Sequence, residues 1–144
     1  MQRYERTRVL IEGDSRLARD IATQIERNYQ IEVLDEPHDE LVMIKVRESA
    51  LNSLFYLGET LVSSCRVRLD DTIGHGVVMG TNHALAYDLA LVDVVFSTEK
   101  EKDFAALWEE RMRDEEKRVS LRRAEAARRI EKSRVDFSTM KVEV

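Results

Sequence analysis

The hydrophobic positions near the start of the chain recur at the spacing of an α-helix. Within residues 15–28, three aliphatic side chains fall four residues apart, at Leu17, Ile21 and Ile25. This period places them on one stripe, with charged residues on the remaining surface. Gly13 is expected to end a shorter helix over residues 3–11, and Asp14 or Ser15 to cap the helix that follows. The pattern therefore predicts two N-terminal helices.

From residue 30 the pattern changes to short β-branched runs. Ile31 and Val33 form the first run and residues 41–46 form the second, while residues 35–39 between them are mostly polar and contain the only proline of the chain. These runs predict two strands joined by a turn.

An alternating pattern over residues 60–69 predicts a further strand. Small or apolar side chains occupy every second position, whereas Arg66 and Arg68 lie on the opposite face. The Asp70-Asp71 pair predicts a turn, and residues 73–79 predict the returning strand. Together these patterns indicate a largely antiparallel sheet with one solvent-exposed face.

Helical spacing returns after the sheet. Asn82 can cap a helix over residues 83–96, which is expected to pack on the sheet. Thr98 and Glu101 have the spacing of a capping box, and neither Pro nor Gly interrupts the chain from there to about residue 133. The apolar anchors of this long helix lie in its first third, at Phe104, Leu107, Trp108 and Met112. The distal half is therefore expected to leave the body of the protein.

These elements indicate an α+β fold made of one domain with three parts. Residues 1–98 are predicted to form the core, in which N-terminal helices and a packed helix accompany an antiparallel sheet. Residues 99–134 are predicted to form the long charged helix, and residues 135–144 an extended C-terminal tail.

Composition narrows the class of protein. The chain has 144 residues, of which 43% are hydrophobic and 35% charged, and its net charge is −5. The apolar runs are too short to span a membrane and the first residues do not resemble a signal peptide, so a cytoplasmic protein is expected. The single cysteine, Cys65, excludes an internal disulfide bond and a cysteine-rich zinc site.

Charge is distributed unevenly along the chain. Residues 117–134 contain eight basic and two acidic residues, a net of +6, which leaves −11 for the remainder. The acidic remainder argues against nucleic-acid binding, and the basic helix lacks the aromatic residues that stack on bases. Such a helix is often a solvated surface, but the partly apolar tail that follows favours contact with a partner.

The glycines before the predicted third helix superficially suggest a phosphate loop. Gly74 and Gly76 have the right spacing for a dinucleotide fingerprint, but Met79 stands where the third glycine is needed. A glycine-rich strand is therefore favoured over a phosphate loop. The backbone around Gly80 and Asn82 still leaves a weak anion site open.

Four residues are weighed as candidates for chemistry. Glu59 and His75 could act as an acid or a base, although a structural role is favoured for both. Arg68 is the best-motivated phosphate contact, because a guanidinium group suits phosphate oxygens. Cys65 is predicted to be a buried small side chain, and the three histidines lack the spacing of a metal site.

Two separated motifs resemble the PhnG family. The first covers residues 55–69 and continues through residues 74–80 to a helix that contains Leu91-Val92-Asp93. The second is the tail motif over residues 134–140. The resemblance extends over residues 37–140, and its motif positions are Phe55, Gly58, Glu59, Cys65, Arg68, Gly74 and Gly80.

The resemblance implies a role in organic phosphonate catabolism. PhnG is a subunit of the bacterial carbon–phosphorus lyase core complex, in which it accompanies PhnH, PhnI and PhnJ. That complex transfers the ribose triphosphate of ATP to an alkylphosphonate before a radical enzyme breaks the carbon–phosphorus bond. The resemblance thus implies a subunit of α-D-ribose 1-methylphosphonate 5-triphosphate synthase that is not active alone, has PhnI-, PhnH- and PhnJ-like partners and binds no cofactor itself.

Two hypotheses follow for this chain. In the first, it is a non-catalytic subunit that holds an acidic partner through its basic helix and tail. The predicted partner-binding residues are Arg128, Arg129, Arg134, Val135, Asp136, Phe137, Thr139 and Met140. In the second, Arg68, Glu59 or His75 contributes to a composite active site at a subunit boundary. The lack of an evident catalytic set in the sequence favours the first hypothesis.

Overall fold

The computed structural model describes residues 1–98 and 101–135. The helices of this part are α1 (Arg3–Glu12), α2 (Leu17–Asn28), α3 (His83–Ser97) and α4 (Lys102–Lys132). The strands are β1 (Glu32–Arg47), β2 (Leu54–Leu69) and β3 (Thr72–Met79), and they form one antiparallel sheet in the order β1-β2-β3. The predicted α+β class is confirmed.

The first strand differs from the sequence-based prediction. The prediction of two strands joined by a turn over residues 35–39 is wrong, because β1 is one continuous strand. Its pairing with β2 shifts register between Val33 and Asp35, and again between Asp35 and His38. Such bulges at an edge strand can accommodate Pro37, whose missing N–H would break the ladder of a central strand.

Two strands extend beyond the third. β3 pairs with β2 only over residues 62–69, so in the described structure residues 54–61 of β2 pair with β1 alone. We call this two-stranded extension, residues 41–61, the arm. At about 3.3 Å per residue it projects roughly 25 Å from the three-stranded body of the sheet.

Helix α3 covers one face of the body at short range. A Cβ atom on Gly74 would lie 2.4 Å from the carbonyl oxygen of Ala90, and one on Gly76 would lie 1.8 Å from that of Ala86. Any side chain at these two positions would push the helix away from β3. The glycines therefore serve backbone packing, which agrees with the preference for a glycine-rich strand over a phosphate loop.

The remaining core forms where α2 packs on α3. The predicted stripe of α2 is buried, and α3 is buried nearly all round because the sheet covers one side and helices the other. The largest fully buried side chains are Ile21, Ile25, Leu91, Met112, Val9, Val67, Val92, Val94 and Val95.

A buried carboxylate ties α1 to this core. Asp93 accepts hydrogen bonds from Arg3 at 2.6 Å and Arg6 at 3.1 Å, and from the backbone N–H of His75 at 2.9 Å. Arg6 and Asp93 are both buried, so each compensates the charge of the other.

The ends of α3 and α4 confirm one predicted cap and correct another. Asn82 caps α3 as predicted, since its Oδ1 accepts a 3.1 Å hydrogen bond from the amide of Leu85. Thr98 was predicted to cap the long helix, but its Oγ1 instead donates to the carbonyl oxygen of Val94 at 2.8 Å, which closes the end of α3.

The long helix has 31 residues and lies within the predicted range of residues 99–134. Trp108 and Met112 are buried and Phe104 packs against the core, as predicted. Leu107 was predicted to be an anchor but is 72% exposed, whereas Val119 is buried further along the helix. Among the described residues, no helix combines the length and the apolar character required to cross a membrane.

Candidate functional site

A cleft on the uncovered face of the sheet gathers several polar side chains. Its volume is about 210 Å³, and it is lined by Asp35, His38, Glu40, Ser64, Cys65, Arg66, His75 and Val77. The strand register places Asp35 and His75 on opposite sides of Arg66, each as a cross-strand neighbour. The Nε atom of Arg66 donates to the carboxylate of Asp35, and this hydrogen bond lowers the pKa of Asp35 from its usual value.

The two histidines of the cleft have different surroundings. His38 Nδ1 lies 2.9 Å from the carbonyl oxygen of Glu36, and His38 Nε2 lies 3.9 Å from the Glu40 carboxylate. The ring of His75 makes no hydrogen bond with the described residues. Because carboxylates line the cleft beside the arginine and the histidines, the electrostatic field there is mixed and gives no strong preference for an anion.

The structure brings only some of the predicted candidates together. Arg68 lies on the same face as Arg66 but is paired with Glu32. The Glu32 carboxylate accepts hydrogen bonds from Arg68 Nη2 at 2.5 Å and from Arg68 Nε at 3.0 Å. Glu59 lies on the arm opposite Met43, about 23 Å from Arg66 along the strand. Glu59 and His75 therefore do not form an acid–base pair within this chain.

Arg66 and His38 were not singled out from the sequence. The alternating pattern that placed Arg66 beside Arg68 on the solvent-exposed face could have identified Arg66. His38 carried no such signal, because its neighbourhood depends on the long-range pairing of β1 with β2 and on the register shifts in between.

Cys65 is the buried small side chain that the sequence predicted. It is 1% exposed, and its Sγ donates to the carbonyl oxygen of Asp35 at 3.4 Å. Burial, followed by the nearby charges of Glu36 and Asp35, raises the pKa of Cys65 to about 11. The thiol is therefore protonated near neutral pH and is a poor nucleophile.

The start of α3 is largely occupied by the protein's own groups. The amide of Gly80 donates to the carbonyl oxygen of Leu61 at 2.9 Å, and the amide of Asn82 donates to Ser63 Oγ at 2.8 Å. Fewer amides are left for a bound anion than the sequence suggested.

A polar clamp fixes β1 at the root of the arm. Asp39 accepts a 2.8 Å hydrogen bond from Ser63 Oγ and lies 2.7 Å from Nε2 of His83. These two contacts, that of Ser63 first, lower the pKa of Asp39 from its usual value. Within residues 1–98 and 101–135, no group of three or more His, Cys, Asp or Glu side chains could hold a metal ion.

The arm concentrates exposed apolar side chains. They are Leu41, Val42, Met43, Leu51, Leu54, Phe55, Tyr56, Leu57 and Leu61. Exposed apolar surface on this scale commonly marks a contact with another molecule. Three of the family-motif positions, Phe55, Gly58 and Glu59, lie in this extension, whereas Cys65 and Gly74 lie in the body.

The distal half of α4 leaves the body, as predicted. The last ion pair with the body in the described structure joins Arg123 to Glu12, with two hydrogen bonds of 2.7 and 2.6 Å. From residue 124 onward every described residue is exposed. Arg128 and Arg129 have no ion-pair partner in the described part of the chain.

The remaining predicted partner-binding residues lie beyond the end of this helix. Arg134 lies 4.0 Å from Glu131, and Val135 is exposed. The other four, Asp136, Phe137, Thr139 and Met140, lie outside the described residues. The assignment of all eight residues to partner binding stays a prediction.

Comparison with known proteins identifies one family. The model of the family described as "Phosphonate metabolism protein PhnG" matches residues 1–142 of the chain. The match includes the two N-terminal helices, which the sequence motifs did not cover. The comparison with curated proteins gives no match.

Proposed function

The chain belongs to the PhnG family of phosphonate metabolism proteins, and we propose that within this metabolism it is a non-catalytic subunit of the carbon–phosphorus lyase core complex. Its partners in this proposal are PhnI-, PhnH- and PhnJ-like subunits. The complex transfers the ribose triphosphate of ATP to an alkylphosphonate, and this chain contributes binding surface. ATP and the phosphonate are ligands of the complex, and the chain itself binds no cofactor.

The observation that carries the proposal is the projecting end of α4, in which Arg128, Arg129 and Lys132 outnumber the two acidic residues by one. Residues 124–132 are exposed along their whole length, and Arg128 and Arg129 have no ion-pair partner in the described structure. A helix that leaves its own core gains no stability from tertiary packing. A partner with an acidic surface would supply that packing and would complement the charge.

The arrangement of the polar candidates supports a non-catalytic role. Glu59 lies on the arm, Arg68 is paired with Glu32, and Cys65 is buried with a raised pKa. A general base must lie within hydrogen-bond reach of the group it serves, and a nucleophile must be accessible. Among the described candidates, no accessible nucleophile lies within hydrogen-bond reach of a general base.

Co-expression with the partner subunits tests the proposal. We expect the wild-type chain to co-purify with a PhnI-like subunit in moderate salt, and deletion of the residues after Ser133 to abolish this while the remaining chain stays folded. The double variant Arg128→Glu/Arg129→Glu should also lose the partner, because it reverses two charges on the projecting helix.

A matched control separates this local effect from a general change in charge. The double variant Arg16→Glu/Arg27→Glu changes the net charge equally, at exposed positions of the body that make no side-chain ion pair in the described structure. It should co-purify like the wild type. Retention of the partner by both the deletion and the Arg128/Arg129 variant would overturn the proposal.

A second candidate function rests on the histidine and the arginine that line the sheet-face cleft. His75 and Arg66 lie side by side in a cleft of about 210 Å³ that is open to solvent on the uncovered face. In this alternative they provide phosphate-binding groups to a composite active site at a subunit boundary. Complexes that assemble with Arg66→Ala or His75→Ala but turn over much more slowly would support this alternative.

A further inference from the structure

The outer edge of β1 changes character along its length. β1 is an edge strand over all of its 16 residues, and an edge presents unpaired N–H and C=O groups that can bind another strand. Its first half has the features that usually block such pairing. These are the acidic residues Asp35, Glu36, Asp39 and Glu40, the proline at position 37, and two register shifts.

The second half of the edge lacks this protection. Residues 41–46 read Leu-Val-Met-Ile-Lys-Val, with one charge and no proline. Their pairing with β2 shifts register once, between Ile44 and Lys45, but the extra residue there is Leu57 of β2, so β1 itself has no bulge in this run. Three of the six, Val42, Ile44 and Val46, are β-branched residues of the kind that strands favour. A long, regular and apolar edge of this kind is the surface to which another strand adds.

The arm is also too narrow to be a stable sheet by itself. It has two strands, and an isolated two-stranded ribbon is at best marginally stable in water. A third strand on the β1 side would satisfy the open backbone groups and would cover part of the exposed surface of Leu41 and Met43.

We propose that the strand is β1 of a second copy of this chain, paired antiparallel across a two-fold axis at Met43. In an antiparallel ladder, hydrogen-bonded and non-hydrogen-bonded residue pairs alternate, so a two-fold axis can pass only through the centre of one pair. The axis exchanges the two members of that pair, and they are therefore two copies of the same residue. With Met43 on the axis, Val42 faces Ile44 of the partner subunit. In the same register, Asp39 faces Arg47 of the partner subunit.

Charge complementarity selects this register and this partner. The edge has acidic residues on one side of its apolar run and Lys45 and Arg47 on the other, so antiparallel pairing with itself brings opposite charges together twice. An axis at Ile44 would instead oppose Glu40 to Glu48 of the partner subunit, with like charges facing each other. An axis at Val42 would oppose Asp39 to the partner's Lys45, but it would also carry the ladder to the partner's Pro37, which has no N–H to donate. The proposal concerns the arm alone and is independent of what α4 binds.

Disulfide cross-linking of the full-length protein tests the register. In the proposed dimer the two copies of residue 43 face each other at about 5 Å between Cα atoms, which suits a disulfide bond. Met43→Cys should therefore cross-link nearly completely under mild oxidation. The control is Leu41→Cys, which has similar exposure, 62% against 59%, but whose two copies would lie roughly 13 Å apart.

Sedimentation equilibrium tests the association itself. The wild-type chain should be dimeric at micromolar concentration, and Met43→Lys, which opposes two like charges on the axis, should weaken the dimer at least about tenfold. Arg47→Glu should weaken it by a smaller factor. Met79→Lys, at an exposed position of β3, should leave the dimer unchanged, and circular dichroism should show each variant folded.

Three results would overturn the proposal. They are a wild-type chain that stays monomeric at 100 micromolar, a dimer that Met43→Lys leaves intact, and cross-linking of Leu41→Cys as extensive as that of Met43→Cys. None of these results bears on partner capture by α4, so failure here is distinguishable from failure of the proposed function.

Discussion

The two halves of β2 contain similar apolar residues but use them differently. Over residues 62–69 the strand is paired on both sides, α3 covers one face, and Cys65, Val67 and Leu69 are buried. Over residues 54–61 it is paired on one side only, and Phe55, Tyr56 and Leu57 are exposed among others. Apolar residues in the body stabilise the fold, whereas those in the arm are available for binding.

The largest predicted effect concerns the body. Gly76→Val should unfold the protein or lower its free energy of unfolding by more than about 3 kcal/mol, because a Cβ there would meet the carbonyl oxygen of Ala86 at 1.8 Å. Thermal unfolding followed by circular dichroism measures this. The neighbouring change Val77→Ala, on the uncovered face, should cost far less; equal losses would show that α3 does not pack closely on β3.

A pair of truncations compares the two halves of β2 directly. Val67→Ala removes fully buried methyl groups and should lower the free energy of unfolding by about 2 kcal/mol. Leu57→Ala removes a larger but exposed side chain and should change it by less than about 0.5 kcal/mol. Urea titration of both variants provides the measurement. A Leu57→Ala loss as large as that of Val67→Ala would mean that the arm is part of the folding core.

A smaller effect is predicted where the arm joins the body. The pKa of Asp39 is lowered in the folded protein by Ser63 and then by His83, so the ionised form favours folding. Its contribution is present above the unfolded-state pKa of about 4 and is lost as the pH falls through the lower folded-state value. Asp39→Asn should therefore lose less stability than the wild type between pH 6 and pH 3.

Urea titrations at the two pH values measure this difference. His83→Ala, which removes one of the two contacts of Asp39, should show an intermediate pH dependence. If the Asp39→Asn variant loses as much stability as the wild type over this range, Asp39 does not contribute to the loss of stability at low pH.

The body was predictable from sequence because its elements follow local rules. The period of α2, the cap at Asn82 and the alternation over residues 60–69 each place side chains without knowledge of distant contacts. The continuity of β1 was not predictable in the same way. A polar stretch with Pro37 indicates a turn in most contexts, but in an edge strand the same residues protect against pairing, and only the strand order distinguishes the two cases.

Prediction of the candidate site required knowledge of the pairing between strands that are distant in sequence, more than prediction of the body did. The sequence placed Arg66 and Arg68 on one face correctly, but the register of β1 decides that Asp35 and Glu32 neutralise them. It also decides that Glu59 lies on the arm, away from His75. Leu107 illustrates a related limit, because helical spacing alone does not show on which side of α4 the core lies.

The central claim is that this member of the PhnG family contributes binding surface and no catalytic group. The most direct test is turnover of the reconstituted core complex with ATP and an alkylphosphonate, using complexes that contain His75→Ala or Arg68→Ala in place of the wild-type chain. We expect complexes of normal composition with turnover within about twofold of wild type. A loss of a hundredfold or more in a fully assembled complex would contradict it, because that loss would place the sheet face in the active site.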